Sequence, residues 1–229
     1  MRNLAIVGYG KMGKLIEQLA PEYDFQVALK LDEFNNAEGE GLTMANFDGI
    51  DVAIEFSIPA AVPGNVEGIA QLDVPLVVGT TGWLEQIDQV KRIIEANHTG
   101  LVWSPNFSIG VNVFFRLVAE AARLLAAEPA YGAWAWEIHH AAKKDAPSGT
   151  LLKLVEEMKK AGYARPIDVG SNRAGTIPGT HEIGFDSGAD TITLRHTARS
   201  REGFARGALK AAQWIVGRKG FYEFGEIEF

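Results

Sequence analysis

The side chains best suited to proton transfer and anion binding lie together in residues 137–150, EIHHAAKKDAPSGT. His139 and His140 can exchange protons near neutral pH, and Lys143 adds a positive point charge. Residues 148–150 then form a turn that opens a predicted helix. Its hydroxyls, backbone N–H groups and helix dipole favour a carboxylate or a phosphate. The segment therefore predicts an anion-binding site with an acid–base group beside it.

Each part of this segment also has a purely structural interpretation. The two histidines could bind a metal ion, but the sequence near them has no H-E-x-x-H pattern and no third ligand, so we predict no metal site. Lys143 and Lys144 could be a solvated charge pair, and Ser148 could simply cap a helix. The anion site is the stronger interpretation because all of these features occur together.

A glycine-rich turn near the start of the chain predicts a dinucleotide site. The residues with G-x-G-x-x-G spacing are Gly8, Tyr9, Gly10, Lys11, Met12 and Gly13. In such a turn the first glycine permits a tight bend, the second lets the backbone approach a pyrophosphate, and the third allows close helix–strand packing. A chance glycine-rich turn is the alternative. Binding is favoured because the motif lies between an apolar strand and a helix, with an acid about 20 residues further on.

Two other segments would complete a cofactor site. Asp32 ends the second predicted strand, where a carboxylate can accept the hydroxyls of the adenosine ribose. Glu33, the next residue, is the alternative candidate for this role. The structural alternative is that Asp32 is only a solvated acid in a loop. No arginine follows to bind a 2′-phosphate, although Lys11 could partly serve. Residues 79–82, GTTG, end another strand, at the edge where open α/β sheets bind ligands.

The elements that must position these groups alternate, at first, between short apolar runs and helical patterns. Strands are predicted over residues 4–7, 25–31, 52–56, 76–78 and 101–103, and helices over residues 11–20 and 84–96. Strands buried on both faces are continuously apolar, as these mostly are. The alternation therefore predicts an α/β fold with a Rossmann-type, doubly wound parallel sheet.

After Pro105 the pattern changes. Helices are predicted over residues 111–127, 151–161 and 204–216, one strand over 134–138, and further strands with turns within 167–200. We therefore predict a dinucleotide-binding domain of residues 1–108 and 202–229. An α+β domain for substrate binding and oligomerisation, residues 109–201, is inserted before the last helix.

Composition restricts the class of protein. The chain has 229 residues, a net charge of −7 and no cysteine, so disulfides and catalytic thiols are excluded. Its acidic balance argues against a nucleic-acid partner. No apolar run reaches the roughly 18 residues of a membrane-spanning helix, so we expect no membrane partner. The N-terminus reaches glycine too soon for a signal peptide. We expect a cytoplasmic protein.

The chain resembles the 4-hydroxy-tetrahydrodipicolinate reductase (dihydrodipicolinate reductase) family of the diaminopimelate route to lysine. The family's E-x-H-H-x-x-K-x-D-A-P-S-G-T signature matches residues 137–150 nearly letter for letter. Residues 79–82 and 104–112 are similar to its cofactor and hinge segments, and residues 173–182 are similar to its R-x-G-x-x-x-G-x-H strand pair. The resemblance runs essentially from end to end.

The resemblance implies that NADH or NADPH delivers a hydride to an unsaturated dicarboxylate ring and gives tetrahydrodipicolinate. It implies His139 as the acid–base residue and Lys143 as the proton donor. The implied substrate-binding residues are His140, Lys143, Ser148, Gly149 and Thr150. The implied cofactor-binding residues are Gly8, Tyr9, Gly10, Lys11, Met12, Gly13, Asp32, Gly79, Thr80, Thr81, Ser104, Asn106 and Phe107. A two-domain sugar or amino-acid dehydrogenase and a non-catalytic nucleotide sensor are the alternatives.

Two departures from the family pattern concern the cofactor. Many members have G-x-x-G-R-M-G in the first loop and an arginine after the acid of the second strand, whereas this chain has GYGKMG and Glu33. Both changes fall where a 2′-phosphate would lie, so we predict that NADH is used at least as well as NADPH.

The alternating stretch 191–197 predicts a sheet whose open face or edge is covered by another subunit. The resemblance supplies the number of subunits, which makes the prediction a homotetramer.

Overall fold

The computed structural model describes residues 1–227, which form two compact units. Unit 1 contains Met1–Ser108 together with the segment that begins at Phe204, and unit 2 contains Ile109–Gly203. The roles predicted for the two domains, cofactor binding and substrate binding, stay predictions at this point.

The chain alternates between strands and helices throughout unit 1 and less regularly in unit 2. In chain order the elements are β1 (Arg2–Val7), α1 (Lys11–Leu19), β2 (Phe25–Leu31), β3 (Val52–Glu55), α2 (Val62–Gln71), β4 (Leu76–Val78), α3 (Ile87–Asn97), β5 (Gly100–Trp103), α4 (Ile109–Leu125), β6 (Gly132–His139), α5 (Gly149–Lys160), β7 (Ile167–Arg173), β8 (Thr180–Asp186), β9 (Thr191–Thr197), α6 (Glu202–Ile215) and β10 (Gly220–Glu223). Among the described residues, none of the helices has both the length and the hydropathy needed to cross a bilayer.

The sheet of unit 1 confirms the predicted Rossmann-type architecture. Its six strands have the order β10-β5-β4-β3-β1-β2, and every neighbouring pair is parallel. On one face, Ala5 and Ala53 join an apolar core that includes α2 and α3, while the alternate side chains Leu4, Ile6 and Ile54 are also fully buried. The order of the strands reverses at β1, and this is the point at which open α/β sheets bind ligands.

Two elements of unit 1 were not predicted from the sequence. Helix α2 has the sequence VPGNVEGIAQ, and its proline and two glycines lower the helix propensity that a pattern search relies on. Strand β10, GFYE, has only four residues and is defined by pairing with β5. Both elements are stabilised by tertiary contacts more than by their local sequence.

Unit 2 has a mixed sheet with the order β7-β6-β8-β9. Strands β6 and β7 are parallel, whereas β6–β8 and β8–β9 are antiparallel. Side chains from α4 and α5 pack with one face of this sheet. On the other face Trp134 lies over Gly184, where a Cβ atom would be 2.0 Å from the indole, and Trp136 lies over Gly170.

Candidate active site

The loop after β1 has the geometry of a phosphate-binding turn. Gly8 has a φ of +94°, and a Cβ atom there would be 2.2 Å from the carbonyl oxygen of Phe56. A Cβ on Gly13 would be 2.7 Å from the Gly8 oxygen, whereas a Cβ on Gly10 would meet nothing within 4 Å. Gly10 also caps α1 without a side chain. The loop therefore has open space at its second glycine, beside N–H groups of a helix terminus of the kind that can bind an anion.

Asp32 lies next to this loop. The N–H groups of Gly8 and Tyr9 donate to the carbonyl of Leu31 at 2.8 and 3.1 Å, which ties the loop to the end of β2. The half-buried Asp32 carboxylate accepts a backbone N–H two residues further on, at 2.9 Å, whereas Glu33 is exposed. Of the two acids, Asp32 is the one with a fixed carboxylate beside the glycine loop.

The cations near this loop include Lys11, Lys14 and Lys30, and the Lys14 ammonium lies 6.0 Å from the centroid of the Tyr9 ring. Lys30 pairs with Glu17 at 3.0 Å and lies over the ring of Tyr9, whose hydroxyl also donates to Glu17. The hydrogen bonds from Tyr9 and Lys30 lower the pKa of Glu17. Lys11 is exposed at the start of α1, next to the half-buried Met12. Lys11 is thus an exposed cation at the helix terminus that follows the glycine loop.

The segments after β3 and β4 adjoin the glycine loop. The Phe56 N–H donates to the carbonyl of Val7 at 2.8 Å, and the Gly79 N–H donates to the carbonyl of Glu55 at 2.8 Å. A Cβ on Gly79 would be 2.0 Å from the Phe56 ring. Phe56 and Glu55 were not among the predicted site residues. The signal that could have found them is the position of β3 beside β1, at the reversal of strand order.

The two threonines after Gly79 differ in exposure. Thr81 is exposed, whereas Thr80 is 6% exposed and its carbonyl accepts the indole N–H of Trp83 at 2.8 Å. Glu55 is fully buried, and one of its carboxylate oxygens accepts the backbone N–H of Ser57 at 3.1 Å. Burial raises the pKa of Glu55. The ends of β3 and β4 therefore carry a buried acid, Glu55, and an exposed threonine, Thr81.

Predicted cofactor residues also follow β5. The Ser104 N–H donates to the carbonyl of Val78 at 3.3 Å, and the Ser104 hydroxyl donates to the carbonyl of Asn106 at 2.8 Å. Phe107 is 2% exposed, and its ring lies 4.8 Å from that of Phe224. The Phe107 ring thus has a packing role, and a cofactor contact by this residue stays a prediction.

The centre of the site in unit 2 is the buried carboxylate of Glu137. Its Oε1 atom accepts the Ser148 N–H at 2.8 Å, the Ser171 hydroxyl at 2.7 Å and the Arg173 guanidinium at 3.0 Å. Its Oε2 atom accepts the Ser148 hydroxyl. Although burial raises the pKa of this carboxyl, the hydrogen bonds from Ser148, Ser171 and Arg173 bring it down to about 2. Glu137 is therefore ionised at neutral pH.

Two histidine rings lie against the Oε2 side of Glu137. The Nδ1 atom of His139 is 3.5 Å from Oε2, and the Nε2 atom of His181 is 3.3 Å from it. Burial lowers the pKa of His139, and it lowers that of His181 to about 4. The other nitrogen of His139, Nε2, faces Gly179, where a Cβ would be 2.9 Å away. Both rings are therefore neutral at physiological pH.

The predicted anion site lies at the start of α5. Ser148 caps the helix by accepting the N–H of Leu151 at 3.2 Å, and a Cβ on Gly149 would meet nothing within 4 Å. The Lys143 ammonium is 2.8 Å from Asp145. Hydrogen bonding by Lys143 lowers the pKa of Asp145, and the Gly149 N–H adds to this shift. Asp145 thus holds the same cation and N–H that a substrate carboxylate would need.

His140 and Thr150 are half-buried on either side of this loop, and the His140 carbonyl accepts the Lys143 N–H at 3.1 Å. The structure thus places the predicted catalytic and substrate-binding residues on one strand, one loop and one helix terminus. No role was predicted from the sequence for Arg173 and His181. Strand pairing sets Arg173 opposite His139 and His181 opposite Glu137. The signal for both was the R-x-G-x-x-x-G-x-H segment.

Comparison with known proteins extends over the whole chain. The family models for the N-terminus and the C-terminus of dihydrodipicolinate reductase match residues 2–107 and 110–227. The 4-hydroxy-tetrahydrodipicolinate reductase of Christiangramia forsetii is 34% identical over 98% of this chain and 97% of its own length. The protein of that name from Methanosarcina mazei is 34% identical over 99% of both chains.

A solved structure agrees with the fold. The dipicolinate-bound dihydrodipicolinate reductase of Paenisporosarcina sp. TG-14 has a TM-score of 0.83 with this chain, at 23% identity and with 100% of both chains covered. Two family models that together match nearly all of the chain, and full-length relatives at 34% identity, lead to the same result. The chain belongs to the dihydrodipicolinate reductase family.

Proposed function

We propose that this chain uses NADH or NADPH to reduce 4-hydroxy-tetrahydrodipicolinate to tetrahydrodipicolinate, a step of lysine biosynthesis by the diaminopimelate pathway. The observation that carries the proposal is the local arrangement in unit 2. There, Lys143, the imidazole of His139 and the open helix terminus at Gly149 lie on consecutive elements of a chain that belongs to this family.

The cofactor is assigned to unit 1. Gly8 and Gly13 have the close backbone contacts that the dinucleotide fingerprint requires, and Gly10 leaves room for a pyrophosphate at the start of α1. Asp32 would accept the ribose hydroxyls, and Thr81 is the exposed threonine at the neighbouring edge. A bound nicotinamide nucleotide supplies the hydride, and these residues orient it.

The substrate is a dianion that needs cations and N–H donors. Lys143 and the N–H groups at the start of α5 would hold one carboxylate in the place of Asp145, with the His140 and Thr150 side chains beside it. The dipicolinate bound in the Paenisporosarcina reductase, a planar dicarboxylate, supports this substrate class.

The proton is assigned to Lys143. Addition of a hydride to the ring builds up negative charge, and a positioned acid must neutralise it. Burial lowers the pKa of His139, so this imidazole is neutral and serves as a proton acceptor or relay. The Lys143 ammonium carries the proton that is transferred. This division of roles agrees with His139 as the acid–base residue and Lys143 as the proton donor.

The assembly is assigned as a homotetramer formed through unit 2. Strand β9 is at the edge of its sheet, and the face that carries Trp134 and Trp136 is opposite the one that α4 and α5 cover. Large aromatic side chains on a sheet face favour burial against another protein surface. Light scattering at micromolar concentration tests this assignment, and a monomeric mass would contradict it.

A biosynthetic enzyme that depends on NADH or NADPH is assigned to the cytoplasm.

Steady-state kinetics test the chemistry. The unstable substrate is generated in situ by a coupling enzyme, and NADH oxidation is followed by absorbance. We expect His139→Ala and Lys143→Ala to lower kcat by about 10²–10⁴-fold while NADH binding, measured by fluorescence, is retained. Lys143→Ala should also raise KM because the substrate carboxylate loses its cation. Lys144→Ala is the matched control and should change little.

Two outcomes would contradict the proposal. Near-wild-type kcat in both His139→Ala and Lys143→Ala would exclude the mechanism. NADH binding without any turnover in the wild type would indicate a nucleotide sensor.

The same assay compares NADH with NADPH as the cofactor. We expect kcat/KM for NADPH to exceed that for NADH by no more than about tenfold, because Asp32 repels a 2′-phosphate.

A further inference from the structure

We propose that Glu137, His139 and His181 form a binding site for one Zn²⁺-class transition-metal ion, and that this ion inhibits the enzyme reversibly by occupying His139. Metal binding itself does not depend on the activity of the chain. Only the inhibition rests on the proposed function.

The three ligand atoms have the separations that a tetrahedral ion needs. Zinc binds imidazole nitrogen and carboxylate oxygen at about 2.0–2.1 Å, so its ligand atoms lie about 3.3 Å apart. The Glu137 Oε2 atom is 3.5 Å from His139 Nδ1 and 3.3 Å from His181 Nε2. All three ligand atoms lie within 4.8 Å of one another. An ion between them needs only small side-chain movements to reach normal bond lengths.

The site also has a buried nitrogen that the protein does not use. His139 is 6% exposed, and its Nδ1 atom has no hydrogen-bond partner among the described residues. An unpaired polar atom in a buried position is costly, and a metal ion would satisfy it.

The surrounding hydrogen bonds orient the carboxylate for this purpose. The Ser148 N–H, the Ser171 hydroxyl and Arg173 donate to Oε1, while Oε2, which accepts the Ser148 hydroxyl, lies beside the two imidazoles. Carboxylate ligands in metal sites are commonly held by such outer donors. The Arg173 guanidinium repels a cation, so we expect reversible binding rather than a resident ion. Two nitrogen ligands select Zn²⁺ or Co²⁺ over Mg²⁺ and Ca²⁺.

The first experiment is a calorimetric titration of metal-free protein with Zn²⁺, beside the absorption spectrum with Co²⁺. We expect one Zn²⁺ per chain and the intense visible bands of tetrahedral Co²⁺. His181→Gln removes a ligand that the catalytic proposal does not use, and it should weaken Zn²⁺ binding by more than about tenfold. The matched control is His98→Asn, which changes an exposed histidine of unit 1.

A measurement on the wild type keeps the proposal testable if the His181→Gln variant does not fold. In histidine ring NMR of the wild type, Zn²⁺ should shift two of the five histidines. No shift of a histidine pair, an octahedral Co²⁺ spectrum, or equal binding by His181→Gln would overturn the site. If Zn²⁺ binds there and turnover is unaffected, the inhibition is wrong. If Zn²⁺ binds and the wild type never turns over substrate, the proposed function fails and the metal site stands.

Discussion

Two buried glutamates, one in each unit, have opposite electrostatic environments. Glu55 ends β3 in unit 1 and Glu137 lies near the end of β6 in unit 2, and both side chains are 0% exposed. Burial raises the pKa of Glu55, whereas the hydrogen bonds around Glu137 outweigh its burial and hold its pKa at about 2. Two carboxyls without solvent exposure therefore have pKa values that are shifted in opposite directions.

The difference lies in the donors. Glu137 accepts hydrogen bonds on both oxygens, and one donor is the guanidinium of Arg173 at 3.0 Å. Glu55 accepts from Ser57 and Asn65 on one oxygen, while its Oε2 atom has no hydrogen-bond partner among the described residues. For Glu55 burial dominates the pKa shift, whereas the donors around Glu137, one of them charged, outweigh the effect of its burial. Four predictions test this comparison.

The largest effect is expected for Glu137→Gln. The substitution removes the anion and leaves the Arg173 guanidinium, whose side chain is 16% exposed, without its partner. Breaking one side of a buried pair costs about 3–5 kcal/mol, so the free energy of unfolding should fall by this amount in urea titrations. A loss below about 1 kcal/mol would mean that the pair contributes little.

Acid should weaken unit 2 in two steps. The pKa of His181 is lowered from 6.5 to about 4, so its stabilisation is complete above pH 6.5 and is lost as the pH falls to 4. The pKa of Glu137 is lowered from 4.5 to about 2, so its contribution to the stability of the fold is lost as the pH falls between these values. Each step is on the order of 3 kcal/mol.

Hydrogen exchange of β6–β8 across this range measures the effect. His181→Gln should reduce the first step and not abolish it, because the lowered pKa of His139 also contributes below pH 6.5. The raised pKa of Glu55 has the opposite sign, because its neutral form is favoured in the fold and its contribution decreases as the pH rises above 4.5. If hydrogen exchange in β1–β3 and in β6–β8 increased in the same way as the pH is lowered, the result would contradict the comparison.

A smaller effect is expected for Ser171→Ala. This variant deletes the 2.7 Å hydrogen bond to Glu137 and the acceptor of an Arg173 N–H at 3.0 Å, but leaves the ion pair in place. A hydrogen bond to a charged group contributes about 1.5–3 kcal/mol, and thermal melts should show a loss within that range. An unchanged melting temperature would show that Arg173 and Ser148 alone hold the anion.

The smallest effect is expected for Glu55→Gln. An amide has nearly the shape of the neutral acid and can keep the hydrogen bonds of Ser57 and Asn65. The free energy of unfolding should change by less than about 1 kcal/mol, which makes this variant the matched control for Glu137→Gln. A loss as large as that of Glu137→Gln would contradict the difference between the two carboxyls.

Local sequence was sufficient for much of the fold and for part of the site. Strands β2 and β4 both have the predicted bounds, for different reasons. Strand β4 is a continuous buried apolar run, whereas the edge strand β2, FQVALKL, alternates and has its apolar side chains on one face. The loop at Gly8 and the segment around His139 were predictable because their groups are contiguous. Arg173 and His181 could not be assigned to Glu137, because only the pairing of β6 with β7 and β8 brings them together.

The pairing of β10 with β5 has a consequence for synthesis on the ribosome. The sheet of unit 2 is complete once Thr197 has been translated, but the sheet of unit 1 lacks an edge strand until Glu223 has been added. Chains fold from the N-terminus as they emerge. Strand β5 is therefore translated before all of unit 2, and its partner β10 is translated only after unit 2. A nascent chain stalled before Gly220 exposes the backbone of β5, the edge at which chaperones or a neighbouring nascent chain can bind.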